Sequence, residues 1–103
     1  MVELVVYVTE DGKAPFDEWF NKIDTAAALK VRTALARIQA GNFGDGKPVG
    51  QGVSERRMPF GPGCRVYFGK DGDRLVILLC GGTRKRQAKA FWENHKARKQ
   101  KGD

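Results

Sequence analysis

Cys64-Arg65-Val66-Tyr67-Phe68, followed by Lys70-Asp71-Gly72-Asp73 and then Arg74-Leu75-Val76-Ile77-Leu78-Leu79-Cys80, reads as a β-hairpin. Successive side chains on a strand point to opposite faces, so Cys64, Val66 and Phe68 share one face while Arg65 and Tyr67 share the other. The middle segment has the charge and glycine content of a hairpin turn. The Leu75–Leu79 run has no polar interruption, which predicts an interior strand covered on both faces. Gly81-Gly82 then breaks it.

The two-residue period extends upstream. Val53, Glu55 and Arg57 face one way and Ser54, Arg56 and Met58 the other, before Pro59-Phe60-Gly61-Pro62-Gly63 turns the chain. Asn42 to Gly52, rich in glycine and carrying Pro48, reads as a loop. Before it the period is helical: Ala27, Val31, Ala34, Leu35 and Ile38 line one face of a helix that Asp24 can cap and Gly41 can end. Pro15 suits the first position of another helix, on which Phe16, Trp19, Phe20 and Ile23 make an apolar stripe. Glu3 to Thr9 is strand-forming and runs into the turn residues Glu10-Asp11-Gly12. Arg84 to Lys101 is helix-prone, with eight lysines and arginines in eighteen residues, and Phe91-Trp92 can anchor it to the sheet. The expectation is one α+β domain over residues 1–103, with a mainly antiparallel sheet, an N-terminal helical hairpin on one face and a basic C-terminal helix. Residues 99–103 read as a disordered basic tail, and the second sheet face is expected to meet solvent or a partner.

With 103 residues, 41% of them apolar and 30% charged, the chain suits a single globular domain and is too apolar for a disordered segment. Its longest apolar run falls far short of the ~20 residues that cross a bilayer. The acidic start Met1-Val2-Glu3-Leu4 lacks the basic region of a secretory signal, so a cytoplasmic location is expected. Cys64 and Cys80 have no close cysteine or histidine neighbours in sequence and read as reduced core residues rather than as a zinc site or a disulfide. Charge is spread unevenly: residues 1–51 carry six Lys+Arg against seven Asp+Glu, and residues 52–103 carry thirteen against five. A basic half suits a polyanion such as nucleic acid, whose counterions are released as phosphates are neutralised; a solvated basic surface is the alternative.

Strand alternation gathers Glu55, Arg57, Arg65 and Tyr67 on the face turned away from the helical hairpin. Two arginines and a carboxylate there make either a compact anion site with a possible proton acceptor or a cross-strand salt bridge on a solvated surface. Arg65 is expected to point outward, so Arg65→Ala should leave stability within about 0.5 kcal/mol of the parent. Gly81-Gly82-Thr83-Arg84-Lys85-Arg86-Gln87 can bring backbone and cations to a phosphate, although it lacks the GxxxxGK[ST] spacing of a nucleoside triphosphate loop. A plain strand end leading into a solvated helix is its other reading. His95, the only histidine, reads as an incidental surface residue. With no Ser/His/Asp set and no metal-ligating cluster in view, catalysis without metal or cofactor would rest on arginine, lysine, tyrosine and glutamate.

Taken together, Pro15-Phe16-Asp17-Glu18-Trp19, Gly52-Val53-Ser54-Glu55-Arg56-Arg57-Met58, Gly61-Pro62-Gly63-Cys64-Arg65-Val66-Tyr67-Phe68, Leu78-Leu79-Cys80-Gly81-Gly82 and Gln87 resemble the RelE/ParE superfamily of toxins. The resemblance is greatest to its HigB-like subgroup, the phage-derived addiction module killer proteins. It implies a RelE-like fold and the toxin of a type II toxin-antitoxin system, a metal-independent, ribosome-dependent mRNA endonuclease that inhibits translation and needs no cofactor. The partners implied are a cognate antitoxin of helix-turn-helix kind, the ribosome and mRNA. On the matching positions Arg57 and Arg65 would hold the scissile phosphate, Glu55 would act as base or orient an arginine, and Tyr67 would stack or hydrogen-bond. Arg84, Lys85, Arg86, Gln87 and Lys89 would bind RNA and the ribosome. A ParE-like inhibitor that poisons DNA gyrase without catalysis, and a non-toxic basic RNA-binding module, are the two other readings. Three features depart from the family pattern. Arg56 stands where an apolar residue is usual, on the strand face predicted to meet the helices; Cys64 replaces a common tyrosine; and the segment after Gln87 is shorter.

Overall fold

The computed structural model describes residues 2–42, 46–57, 65–72, 75–82 and 85–102. Their order is β1 (Glu3–Val6), α1 (Pro15–Phe20), α2 (Thr25–Gln39), β2 (Lys47–Gly50), β3 (Val53–Arg57), β4 (Arg65–Asp71), β5 (Leu75–Gly81) and α3 (Lys85–Gly102). The five strands form one sheet in the order β1-β5-β4-β3-β2, and the architecture is α+β.

Both helices of the N-terminal hairpin form for the reasons legible in their residues. Pro15 opens α1, and Phe16 is buried, with its ring 5.9 Å from that of Phe20. The Asp24 carboxylate accepts a 2.7 Å hydrogen bond from the Ala27 N–H, satisfying one of the donors a helix start leaves over. At the other end Gly41, at φ +93°, lets Gly41 N–H reach the Ile38 carbonyl and Asn42 N–H reach the Arg37 carbonyl, the paired bonds of a Schellman stop. Ala27, Val31, Ala34 and Ile38 are buried against Val66, Phe68 and Leu78 of the sheet. Full burial of side chains such as Val31 and Ile38 contributes about 1.5–3 kcal/mol each.

The sheet is mainly antiparallel, as expected; it fixes the placement of β1, which the sequence left open, and departs from expectation at β2. β1 runs parallel to β5, with Glu3 opposite Leu75 and Val6 opposite Leu78, so the sheet is mixed; its other three pairings are antiparallel. Residues 42–52, read as a loop, contain the strand β2, which pairs Lys47 with Glu55 and Pro48 with Ser54. Proline and glycine obscured it because they suit an edge strand, where half the backbone needs no ladder partner. β5 is interior, as its apolar run predicts, and Leu78 and Leu79 enter cores on opposite faces.

The second face is not left to solvent or a partner. Helix α3 lies across it, and Ala88 and Trp92 pack with Tyr7, Val53, Tyr67 and Leu79 into a second core. Trp92 is therefore the anchor its sequence suggests. Its ring covers Gly52 and Gly69 so closely that a Cβ on either glycine would overlap it. Trp19 covers Gly81 in the same manner on the hairpin side. Of the segment read as a tail, residues 99–102 belong to α3, which continues to Gly102, and Lys99 is ion-paired with Asp71; residue 103 lies outside the described residues. His95, expected to be incidental, has its Nε2 3.3 Å from the Asp71 carboxylate and its ring stacked on Trp92 at 5.3 Å.

Asp71 thus ties the far half of α3 to the end of β4. Hydrogen bonds from Lys99 and His95 hold its carboxyl below the ordinary carboxylate value. A carboxyl depressed in the folded state stabilises that state above its unfolded value, and the contribution fades as pH falls through the depressed one. Amide protection in α3 should accordingly drop on acidification while α2 stays protected. Asp71→Asn should show that loss already at neutral pH and respond less to acid. Hydrogen exchange on the two chains checks both points, and equal protection of α3 in both would refute the tie.

Candidate functional site

β3 and β4 pair with Glu55 opposite Tyr67 and Arg57 opposite Arg65, and this register brings the four predicted residues onto one face. The Glu55 carboxylate lies 3.5 Å from Arg65 Nη1 and 3.7 Å from Arg57 Nη2. Exposure divides their roles. The Glu55 side chain is 8% exposed, that of Arg65 33% and that of Arg57 66%, so the carboxylate is sunk and the guanidiniums reach solvent. Glu55 is placed to orient both arginines.

Tyr67 is fully buried. Its ring belongs to the core beneath α3 and cannot stack on a base, which corrects that part of its expected role. Burial pushes its phenol up from the usual tyrosine value, Arg65 pulls it down and Glu55 adds to the rise, so the group keeps its proton at neutral pH. Its hydroxyl has no hydrogen-bond partner among the described residues.

The basic helix starts beside this cluster, because Gly82 N–H donates a 2.9 Å hydrogen bond to the Arg65 carbonyl. Lys85, Arg86 and Gln87 are exposed in the first turn of α3. Cations there oppose the helix dipole, an arrangement that an incoming anion relieves. Lys89 is half-buried, with its Nζ near Gly50 of β2. Arg84 and Cys64 lie outside the described residues, as does the Cys80 side chain. Arg56 is buried opposite Val66, on the hairpin side, where the strand period puts it.

The structure also brings together Asp71, His95 and Lys99, a group not expected from the sequence. Asp71 sits in a turn-forming stretch and His95 and Lys99 in a basic helix, and only the crossing angle of α3 joins them. Their i, i+4 spacing on one helix face was the available signal. Among the described residues no cluster of His, Cys, Asp or Glu is placed to hold a metal ion, and no helix is long and apolar enough to cross a membrane.

No family model matches the chain. It is 44% identical over 75 residues to an uncharacterized protein of Haemophilus influenzae, an alignment spanning 72% of this chain and 76% of that protein. Identity of this extent over most of both chains is that of homologues, and the chain belongs to the same family as the Haemophilus influenzae protein.

Proposed function

We propose that the chain is a metal-independent endoribonuclease of the RelE/ParE type, with a RelE-like fold, acting as a HigB-like toxin on ribosome-bound mRNA in the cytoplasm and restrained by a cognate antitoxin. One observation carries the reading: two guanidiniums from adjacent strands converge on a sunken carboxylate, at the point of the sheet where a basic helix begins. Paired arginines are suited to a phosphate because each presents a planar fork of donors.

The chemistry follows from exchange of anions. A phosphodiester arriving at Arg57 and Arg65 replaces the carboxylate as their partner and frees Glu55 to accept the proton of the ribose 2′-hydroxyl. The 2′-oxygen then bonds to phosphorus, the bond to the 5′-oxygen breaks, and that oxygen leaves with a proton from water. The two guanidiniums meet the charge that grows on the phosphate oxygens, where preorganised donors contribute most. Tyr67, still protonated, lies opposite Glu55 on the buried side and takes no part in the proton transfer. Lys85, Arg86, Gln87 and Lys89 extend the basic track for RNA and ribosome.

Induced expression in bacteria, with primer extension on abundant transcripts, tests the proposal. The expected result is arrest of translation with cuts inside translated messages. Replication stopping first, with messages intact, would overturn it in favour of a gyrase-binding protein. Ribosome binding should also weaken steeply between low and physiological salt, since each neutralised phosphate releases counterions. Binding unaffected by salt would leave the basic half as a solvated surface.

A further inference from the structure

The strand that the sequence hid also carries a charge. β2 pairs Lys47 with Glu55, and β4 pairs Tyr67 with the same Glu55, so one row across three strands reads Lys47, Glu55, Tyr67, next to the row of Arg57 and Arg65. Directly opposite residues on neighbouring strands turn their side chains to the same face, with Cβ atoms about 4.5–5.5 Å apart. Val49 marks that face, because it packs against the core that Val53 and Trp92 share beneath α3. Lys47 itself is exposed. Among the described residues Glu55 is ion-paired with Arg57 and Arg65 and not with Lys47. The sunken carboxylate therefore has a guanidinium on its β4 side and an ammonium, outside that pairing, on its β2 side.

We infer that Lys47 holds a second phosphate of the RNA, the one on the 5′ side of the reacting ribose, so that the site takes two consecutive phosphates rather than one. The inference rests on the cleavage reading above, and its polarity follows from that chemistry. Glu55 accepts the proton of the 2′-hydroxyl, so the reacting ribose lies over Glu55, between the scissile phosphate at Arg57 and Arg65 and the β2 edge. The 5′-phosphate of that ribose is then carried toward β2, where the Lys47 ammonium meets it. From β4 to β2 the backbones are two strand spacings apart, about 9–10 Å, a span that long arginine and lysine side chains can shorten. Lysine suits the place. A compact charge on a flexible stem follows a backbone phosphate without demanding one orientation, whereas the planar arginine forks fix the phosphate that reacts. Deterring a further strand is the other use of an edge lysine, and that use has nothing to do with phosphates.

The probes are deoxyadenosine dinucleotides, which lack the 2′-hydroxyl and cannot be cut: one bare, with its single bridging phosphate, one 5′-phosphorylated and one 3′-phosphorylated. Each is titrated at low salt into the full isotope-labelled chain and followed by amide chemical shifts. All three should shift residues 55–57 and 65–67. The 5′-phosphate should tighten binding about fivefold and extend the shifts to residues 47–49, the upper end for an exposed ion pair. The 3′-phosphate adds the same charge at the other end and should not extend them. Lys47→Gln should erase the difference between the 5′-phosphorylated and bare probes while melting close to the parent, and Lys47→Arg should restore it. Lys22→Gln, which deletes an exposed cation just after α1, should keep the difference. No gain from the 5′-phosphate, a gain that survives in Lys47→Gln, or an equal Lys47-dependent gain from the 3′-phosphate overturns the inference and leaves the cleavage site standing. Unchanged binding by a Lys47→Gln chain that self-associates overturns it too, and makes the lysine a guard of the sheet edge. If no probe shifts residues 55–57 and 65–67, the anion site itself fails, and the role of Lys47 with it.

Discussion

Arg65→Ala will cut mRNA cleavage by about a hundredfold to a thousandfold, the usual cost of losing one preorganised donor to a developing oxyanion. It will also destabilise the fold. The outward position alone argued for a near-neutral change, but Arg65 is only one-third exposed and partners a carboxylate that is almost fully buried. Leaving that group to Arg57 alone costs about 1–3 kcal/mol, the penalty for a buried polar group that loses a partner. Arg65→Lys retains the charge without the planar fork, so it should recover more stability than cleavage. Cleavage assayed well below each variant's melting temperature separates the two effects. An Arg65→Ala chain that is destabilised yet cuts messages at the parental rate would reduce the cluster to a cross-strand ion pair.

The largest loss of stability is expected at Trp92. Trp92→Ala removes the ring that joins α3 to the sheet and should cost about 3–5 kcal/mol, a large fraction of the 5–15 kcal/mol by which small domains are stable. Gly69→Ala acts on the same contact from below, since its Cβ would enter the Trp92 ring, and overpacking of this kind costs about 1–3 kcal/mol. The two changes should not add. Once the indole is gone the added methyl has room, so Gly69→Ala made in the Trp92→Ala chain should be close to neutral. A denaturant double-mutant cycle measures this, and additive costs would show that glycine is needed at position 69 for its backbone rather than for the ring above it.

Elements whose evidence is local were legible in the sequence. Asp24, Gly41 and the Ala27–Ile38 stripe define α2 by capping and period, and the Leu75–Leu79 run marks an interior strand. Alternation placed Glu55, Arg57, Arg65 and Tyr67 on one face correctly. What alternation does not contain is the thickness of cover on that face. The docking of α3 depends on Trp92 meeting two glycines far from it in sequence, Gly52 and Gly69, and this contact turned Tyr67 from a surface residue into core. β2 was missed because its pairing is decided by β3, with little β propensity of its own. The parallel placement of β1 was open for a similar reason, since period two is the same in either direction.

That placement has a consequence for how the protein is made. β1 pairs Glu3 with Leu75, so the first strand of this sheet is completed only by its last. Pairings so distant in sequence form late, because a long loop must close before any contact repays it. During translation the Leu4-Val5-Val6 segment must therefore wait, exposed, while α2 and the β3–β4 pair can already assemble. A nascent chain halted before residue 75 would carry a strand with nowhere to bind. Its fate would be decided by chaperones and proteases rather than by its own fold.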